Sequence, residues 1–191
     1  MRRKGLFVAL ILVAVASVTS AQSLAPSTAQ REDAEQLKIL QEGANLLRSR
    51  KPQEAMSNYF DRVIAFYESK YRDEDRQIYC TRSMVETMGV LAKHAVENPK
   101  KSAIAVSSLW CEAYFLRAYA YIELGSLADA KSSLVNAVSR SPLNSQYLSE
   151  LAFIYQREKD WTKSLETYEA AERVSDISPE QLKNEHLSRA R

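Results

Sequence analysis

Cys80, Cys111, His94 and His186 are the side chains best suited to metal binding, nucleophilic attack or redox chemistry. A zinc site needs several His or Cys ligands at short spacings, and a catalytic histidine needs a nucleophile or an acid held beside it. Neither histidine has another histidine four residues on or a cysteine at ligand spacing, so neither reads as a ligand. The acidic pairs Glu32-Asp33 and Asp73-x-Asp75 lie at polar helix termini, where solvated charge accounts for them. Four isolated glycines build no phosphate loop, and no Gly-x-Ser-x-Gly elbow occurs. The chain reads as non-enzymatic, with no cofactor and no metal.

The cysteines pose a separate question. An even count permits one disulfide in an oxidising compartment. If the surrounding segment folds as an antiparallel helical hairpin turning near Pro99, Cys80 lies opposite about residue 118, which disfavours a bond to Cys111. A chain returning differently would allow it. A Cys80–Cys111 disulfide and two buried thiols both stay open.

The elements that must position any site are helical. Gly and Pro are scarce, at 4 and 5 residues, and unbranched helix formers are plentiful. Hydrophobic residues make up 46% of the chain, enough to build a core. The first residues differ in kind. Arg2, Arg3 and Lys4 precede an apolar run from Leu6 to Val18, and the small residues Thr19-Ser20-Ala21 come after it. That order is the one found in a secretory signal peptide, cleaved near Ala21. The run is also shorter than the roughly 20 residues a spanning helix needs. Removing three basic residues leaves 23 Lys+Arg against 24 Asp+Glu, so the excess of positive charge disappears. Nucleic acid binding then lacks an electrostatic basis. Export, most simply to the periplasm of a Gram-negative bacterium, is the expectation, with no stable membrane span after cleavage.

Self-similarity at 34 residues dominates the C-terminal half of the chain. Ala118, Tyr121, Ala130, Leu134 and Ala137 recur as Ala152, Tyr155, Ser164, Tyr168 and Ala171. Small residues at fixed points let two helices approach closely, and the larger ones fill the space between them. Gly125-Ser126 and Asp160 punctuate the two pairs, with Ser126 and Asp129 spaced as a capping box. The spacing predicts helices over 108–124 and 127–140, then over 145–158 and 161–174. A weaker copy runs through Ile39, Gly43, Leu46, Ala55 and Tyr59. It is out of register, because Gly43 to Ala118 spans two periods plus seven, and Arg62 stands where a small residue is wanted.

This pattern resembles the tetratricopeptide repeat. The resemblance implies an all-α fold of antiparallel helix–turn–helix repeats, stacked as a short right-handed solenoid. It implies a protein or peptide partner held in a concave groove lined by the first helix of each pair. Carried onto this sequence, the groove positions are Glu112, Phe115, Tyr119, Ile122 and Glu123, then Gln146, Ser149, Phe153, Gln156 and Arg157. The Lys and Asn residues with which some members clamp a terminal carboxylate are missing here. Phe115, Tyr119 and Phe153 favour an apolar or amphipathic segment, unless those rings pack against a neighbouring helix. Self-association into a homo-oligomer through an exposed end of the stack is the alternative role.

The expected organisation is a signal peptide over 1–21, a flexible linker over 22–30 and a degenerate helical pair over 31–70. An inserted helix and loop occupy 71–109, with a helix from Asp75 to Val96 and a short apolar run at 103–106 of either helical or extended form. Two repeats occupy 110–176, divided as 111–144 and 145–176. Ser178-Pro179-Glu180-Gln181 then opens a helix over 178–191, read as a polar capping helix or else as the first helix of a further repeat.

Overall fold

The computed structural model describes residues 27–175, so the expected signal peptide, most of the expected linker and the expected C-terminal capping helix lie outside the described residues. The chain forms α1 (Thr28–Arg48), α2 (Pro52–Ala55), a π-helical turn (Met56–Phe60) and α3 (Asp61–Lys70). It continues with β1 (Gln77–Thr81), α4 (Met84–Glu97) and β2 (Ala103–Ser107). The last four helices are α5 (Leu109–Glu123), α6 (Leu127–Arg140), α7 (Ser145–Arg157) and α8 (Trp161–Arg173). Helix α5 packs on α6, α7 on α8 and α6 on α7, so this end is a stack of helix pairs.

Three turns reveal the repeat more directly than any side chain. The first helix of each pair ends with one residue in the left-handed region: Arg50 at φ 61°, Gly125 at 79° and Lys159 at 64°. In each, the next amide reaches back to a carbonyl five residues earlier: Lys51 N to Leu46 O, Ser126 N to Tyr121 O, and Asp160 N to Tyr155 O, all at 2.9–3.0 Å. These are the crossed carbonyl bonds that close a helix C-terminus. Only the middle turn uses glycine, the residue that adopts this conformation without a Cβ penalty. Lys159→Gly is expected to stabilise the fold by roughly 1 kcal/mol, measured by urea unfolding.

The weak first copy has a physical explanation. Through Ala55 its burial matches the other repeats, Ala55 corresponding to Ala130 and Ser164, all inside. The π turn then absorbs one extra residue. Beyond it Phe60 and Val63 are buried, while Tyr59 is half-buried and Arg62 exposed. Arg62 needs no small-residue environment, because the helix has rotated it outward and Val63 takes its place. Gly43 marks the close crossing of α1 against this turn. A Cβ on it would lie 2.6 Å from Phe60 Cε1 and 2.8 Å from Tyr59 Cβ. Gly43→Ala is expected to force the two helices apart and cost about 1–3 kcal/mol, read as a lower unfolding midpoint.

Several local expectations are corrected. Helix α1 begins at Thr28, inside the segment read as linker. Ser27 and Gln30 form a reciprocal cap there, Gln30 N donating to Ser27 Oγ at 3.2 Å and Ser27 N to Gln30 Oε1 at 2.8 Å. Ser126 makes no backbone cap to α6; its hydroxyl donates to Asp129 Oδ2 instead. The helix expected over 75–96 starts only at Met84, where Ser83 Oγ accepts from Glu86 N. Its first part, Gln77–Thr81, is β1, and Ala103–Ser107 takes the extended form as β2. The strands pair in parallel with Ile78 opposite Ile104 and Cys80 opposite Val106. β-branched residues in both runs, with Tyr79 in the first, favour this pairing over a continuous helix.

That topology decides the cysteines. A parallel return brings β2 up alongside β1 in the same direction, so the start of α5 arrives just beyond Cys80. Cys80 and Cys111 are joined by a disulfide with Cα atoms 6.2 Å apart, and both are buried. The antiparallel hairpin that set Cys80 opposite residue 118 does not form. His94 helps hold the insertion: Tyr79 Oη and Lys101 O lie 3.1 Å from its two ring nitrogens. It is a buried packing residue.

Candidate binding groove

Helices α5, α7 and α8 line an open cavity of about 450 Å³. Helix α5 supplies Tyr119 and Ile122, α7 supplies Glu150, Phe153 and Gln156, and α8 supplies Tyr168. The local sequence dictates this lining. Asn144 starts α7 by accepting from the amides of Gln146 and Tyr147, at 3.1 and 3.3 Å. Glu150, Phe153 and Gln156 then succeed one another every three residues and share one helical face. Opposite that face, Ala152 and Ser164 allow α7 and α8 to approach, and Ser164 Oγ donates to Ala152 O at 3.0 Å.

Tyr119, Ile122, Phe153 and Gln156 are brought together here from the ten expected groove positions. Glu123 and Arg157 lie exposed at the ends of α5 and α7, outside the lining, and Gln146 is half-buried near the start of α7. Three positions belong to the interior instead. Phe115 is only 5% exposed, with ring centroids 5.0 Å from Tyr119 and 4.8 Å from Tyr147. Ser149 is buried with no partner for its hydroxyl among the described residues. Glu112 accepts a hydrogen bond from Tyr147 Oη at 2.9 Å. The reason for Phe115 and Glu112 is the packing of α5 on the start of α7, where both meet Tyr147.

Glu150 and Tyr168 line the cavity without having been anticipated. Glu150 lies one helical turn before Phe153, a signal that the spacing did carry. Tyr168 matches Leu134, which fills the space between helices within the stack. In α8 the same repeat position lines the cavity.

Burial pushes the Glu112 carboxyl above its usual value of 4.5, and the bond from Tyr147 offsets only part of the shift. A carboxyl raised in the folded state binds its proton more tightly there than in the unfolded chain. Its contribution to stability therefore falls as pH rises from the ordinary carboxylate value through the raised one. Glu112→Gln is expected to remove that fall. The variant should gain stability relative to wild type at pH 7 and gain none at pH 4, by urea unfolding.

Among the described residues no three His, Cys, Asp or Glu side chains converge on a metal position. No described helix is long and apolar enough to cross a membrane. No protein-family model matches the chain. Over 122 residues it is 28% identical to a TPR repeat-containing protein of Methanocaldococcus jannaschii. That match covers 60% of this chain and 21% of the relative. With the three turns and the 34-residue recurrence, it makes the chain similar to tetratricopeptide repeat proteins. The chain spans about a fifth of the curated relative's length. A solved structure described as a MamA RS-1 ArsTM double mutant is 17% identical, over 80% of this chain and 82% of that one. Its TM-score is 0.36, too low to bear on the fold.

Proposed function

We propose that this protein is an exported adaptor that holds a protein or peptide segment in the groove between α5, α7 and α8, with no catalysis of its own. The observation that carries the reading is the cavity, an apolar recess built from Tyr119, Ile122 and Phe153 on the first helices of two successive repeats. Grooves of this kind receive an anchor side chain at their centre and polar contacts at the rim. Export is supported by the basic, apolar and small-residue succession before Gln22. The Cys80–Cys111 bond supports it too, since such bonds persist in oxidising compartments. Mass spectrometry of the exported product is expected to give an N-terminus at Gln22 or Ser23; a protein found only in the cytoplasm with Met1 retained would remove the export reading.

The groove reading is tested by affinity capture from the envelope fraction with wild type and with Ile122→Asp, a variant checked for helicity by circular dichroism. One partner retained by wild type and lost by the variant supports the adaptor role. Identical capture by both removes it.

A second reading rests on α8, where Trp161 and Leu165 are each 62% exposed. A second copy covering that face would make the protein a self-associating structural element of the envelope. Sedimentation equilibrium distinguishes the two, since a monomer at micromolar concentration excludes self-association.

A further inference from the structure

We infer that the free edge of β2 is a docking site for an extended segment of a partner protein, which adds to the sheet as a third, antiparallel strand and carries acidic residues at its C-terminal end. The site is separate from the groove between α5, α7 and α8 and shares no residue with its lining.

Backbone geometry defines the edge. Gln77 N donates to Ser102 O at 2.9 Å, and in a parallel ladder of this register Ile104 and Val106 turn both N–H and C=O toward β1. Alternation then turns the N–H and C=O of Ala103 and Ala105 away from β1. None of those four groups has a hydrogen-bond partner among the described residues, and both alanines are only half-buried. The outer side of β1 differs, since Cys80 O accepts from Ser141 Oγ at 3.0 Å and β1 packs against α5 and α6. Open edges are ordinarily blunted by a charge, a proline or a bulge within the strand. Ala-Ile-Ala-Val-Ser has no charge and no proline, and its register with β1 is unbroken. A third strand would also supply the support that a two-stranded ladder lacks.

Charge selects the occupant. Lys100 and Lys101 are exposed at the start of β2. Glu97 is paired with Lys93 and Glu74 with Arg76, each at 2.6 Å, while the two lysines have no carboxylate partner among the described residues. A second copy laying its own β2 alongside brings no countercharge, because residues 98–110 contain no Asp or Glu. A strand ending in acidic residues does. Antiparallel pairing, the more stable per residue, sets that end beside the lysines.

The test adds two blocked hexapeptides to the intact protein, Ac-Thr-Val-Thr-Val-Glu-Glu-amide and Ac-Thr-Val-Thr-Val-Lys-Lys-amide. Calorimetry measures affinity, and NMR follows amide exchange at Ala103 and Ala105. At saturation the Glu peptide is expected to slow exchange at both amides roughly ten-fold or more. It should bind roughly five-fold more tightly than the Lys peptide at low salt. Ala105→Pro deletes one outward N–H without removing a bond to β1, and is expected to weaken binding roughly ten-fold with helicity unchanged. If that variant does not fold, Lys100→Glu with Lys101→Glu serves, since it should reverse the preference between the peptides. Equal binding of the two peptides, saturation that leaves both amides unprotected, or no saturable binding at millimolar concentration overturns the inference. So does protection of both amides before peptide is added: lost on dilution it marks a second copy on the edge, and kept on dilution it marks a segment of this chain.

Discussion

Phe115→Ala is expected to destabilise the protein by about 3–5 kcal/mol, the usual consequence of emptying a buried aromatic site. Phe115 lies between Tyr119 and Tyr147. Truncation would remove the support of Tyr147, whose hydroxyl reaches Glu112, and of Tyr119, which forms one wall of the cavity. Lost binding in this variant would therefore report lost packing. Ile122→Asp or Phe153→Ala changes the lining with less damage, because both positions are only half-buried. Urea unfolding checks the first claim: a Phe115→Ala midpoint close to wild type would mean that the ring is not part of the core.

Replacing both cysteines by alanine is expected to cost about 3–4 kcal/mol. The bond closes a loop between positions 31 residues apart, and that cost comes from the freedom released to the unfolded chain. The effect should be uneven along the chain. The bond fixes β1 to the first turn of α5, and the β1–α4–β2 segment has few other fasteners, among them Ser141 Oγ to Cys80 O at 3.0 Å. Hydrogen exchange should accelerate most in residues 77–107, while α5 to α8 keep their protection. Uniform acceleration, or none, would contradict this role for the bond.

The helical repeat was legible because its signal is periodic. Small residues at 118, 130, 137, 152, 164 and 171 fix where backbones approach, and the structure places α5 to α8 within a residue or two of the expected spans. The insertion was less legible. Ile78-Tyr79-Cys80 suits a strand by residue type, yet the apolar spacing from Met84 onward extends a helical reading back across it. Only pairing with Ala103–Ser107, a contact distant in sequence, selects the strand. The π turn was hidden for a related reason. One inserted residue changes which side chains face inward without changing the composition of the helix.

The groove divided along similar lines. Positions derived from the repeat were informative where α5 and α7 face open space, at Tyr119, Ile122, Phe153 and Gln156. Glu112, Phe115 and Ser149 lie inside instead: Glu112 and Phe115 both meet Tyr147 of α7, a contact that spacing along one helix does not register. Tyr168 illustrates the converse: a residue typed for the interior forms part of the cavity wall.

Whether a protein segment lies along α5 and α7 is tested most directly by photocrosslinking. A photoreactive residue at Gln156, inside the groove, is compared with one at Val135, an exposed position on α6 outside the cavity lining. The adaptor role predicts one partner crosslinked from position 156, none from 135, and loss of that crosslink with Ile122→Asp. Equal crosslinking from both positions, or crosslinks only to other copies of this chain, would contradict it.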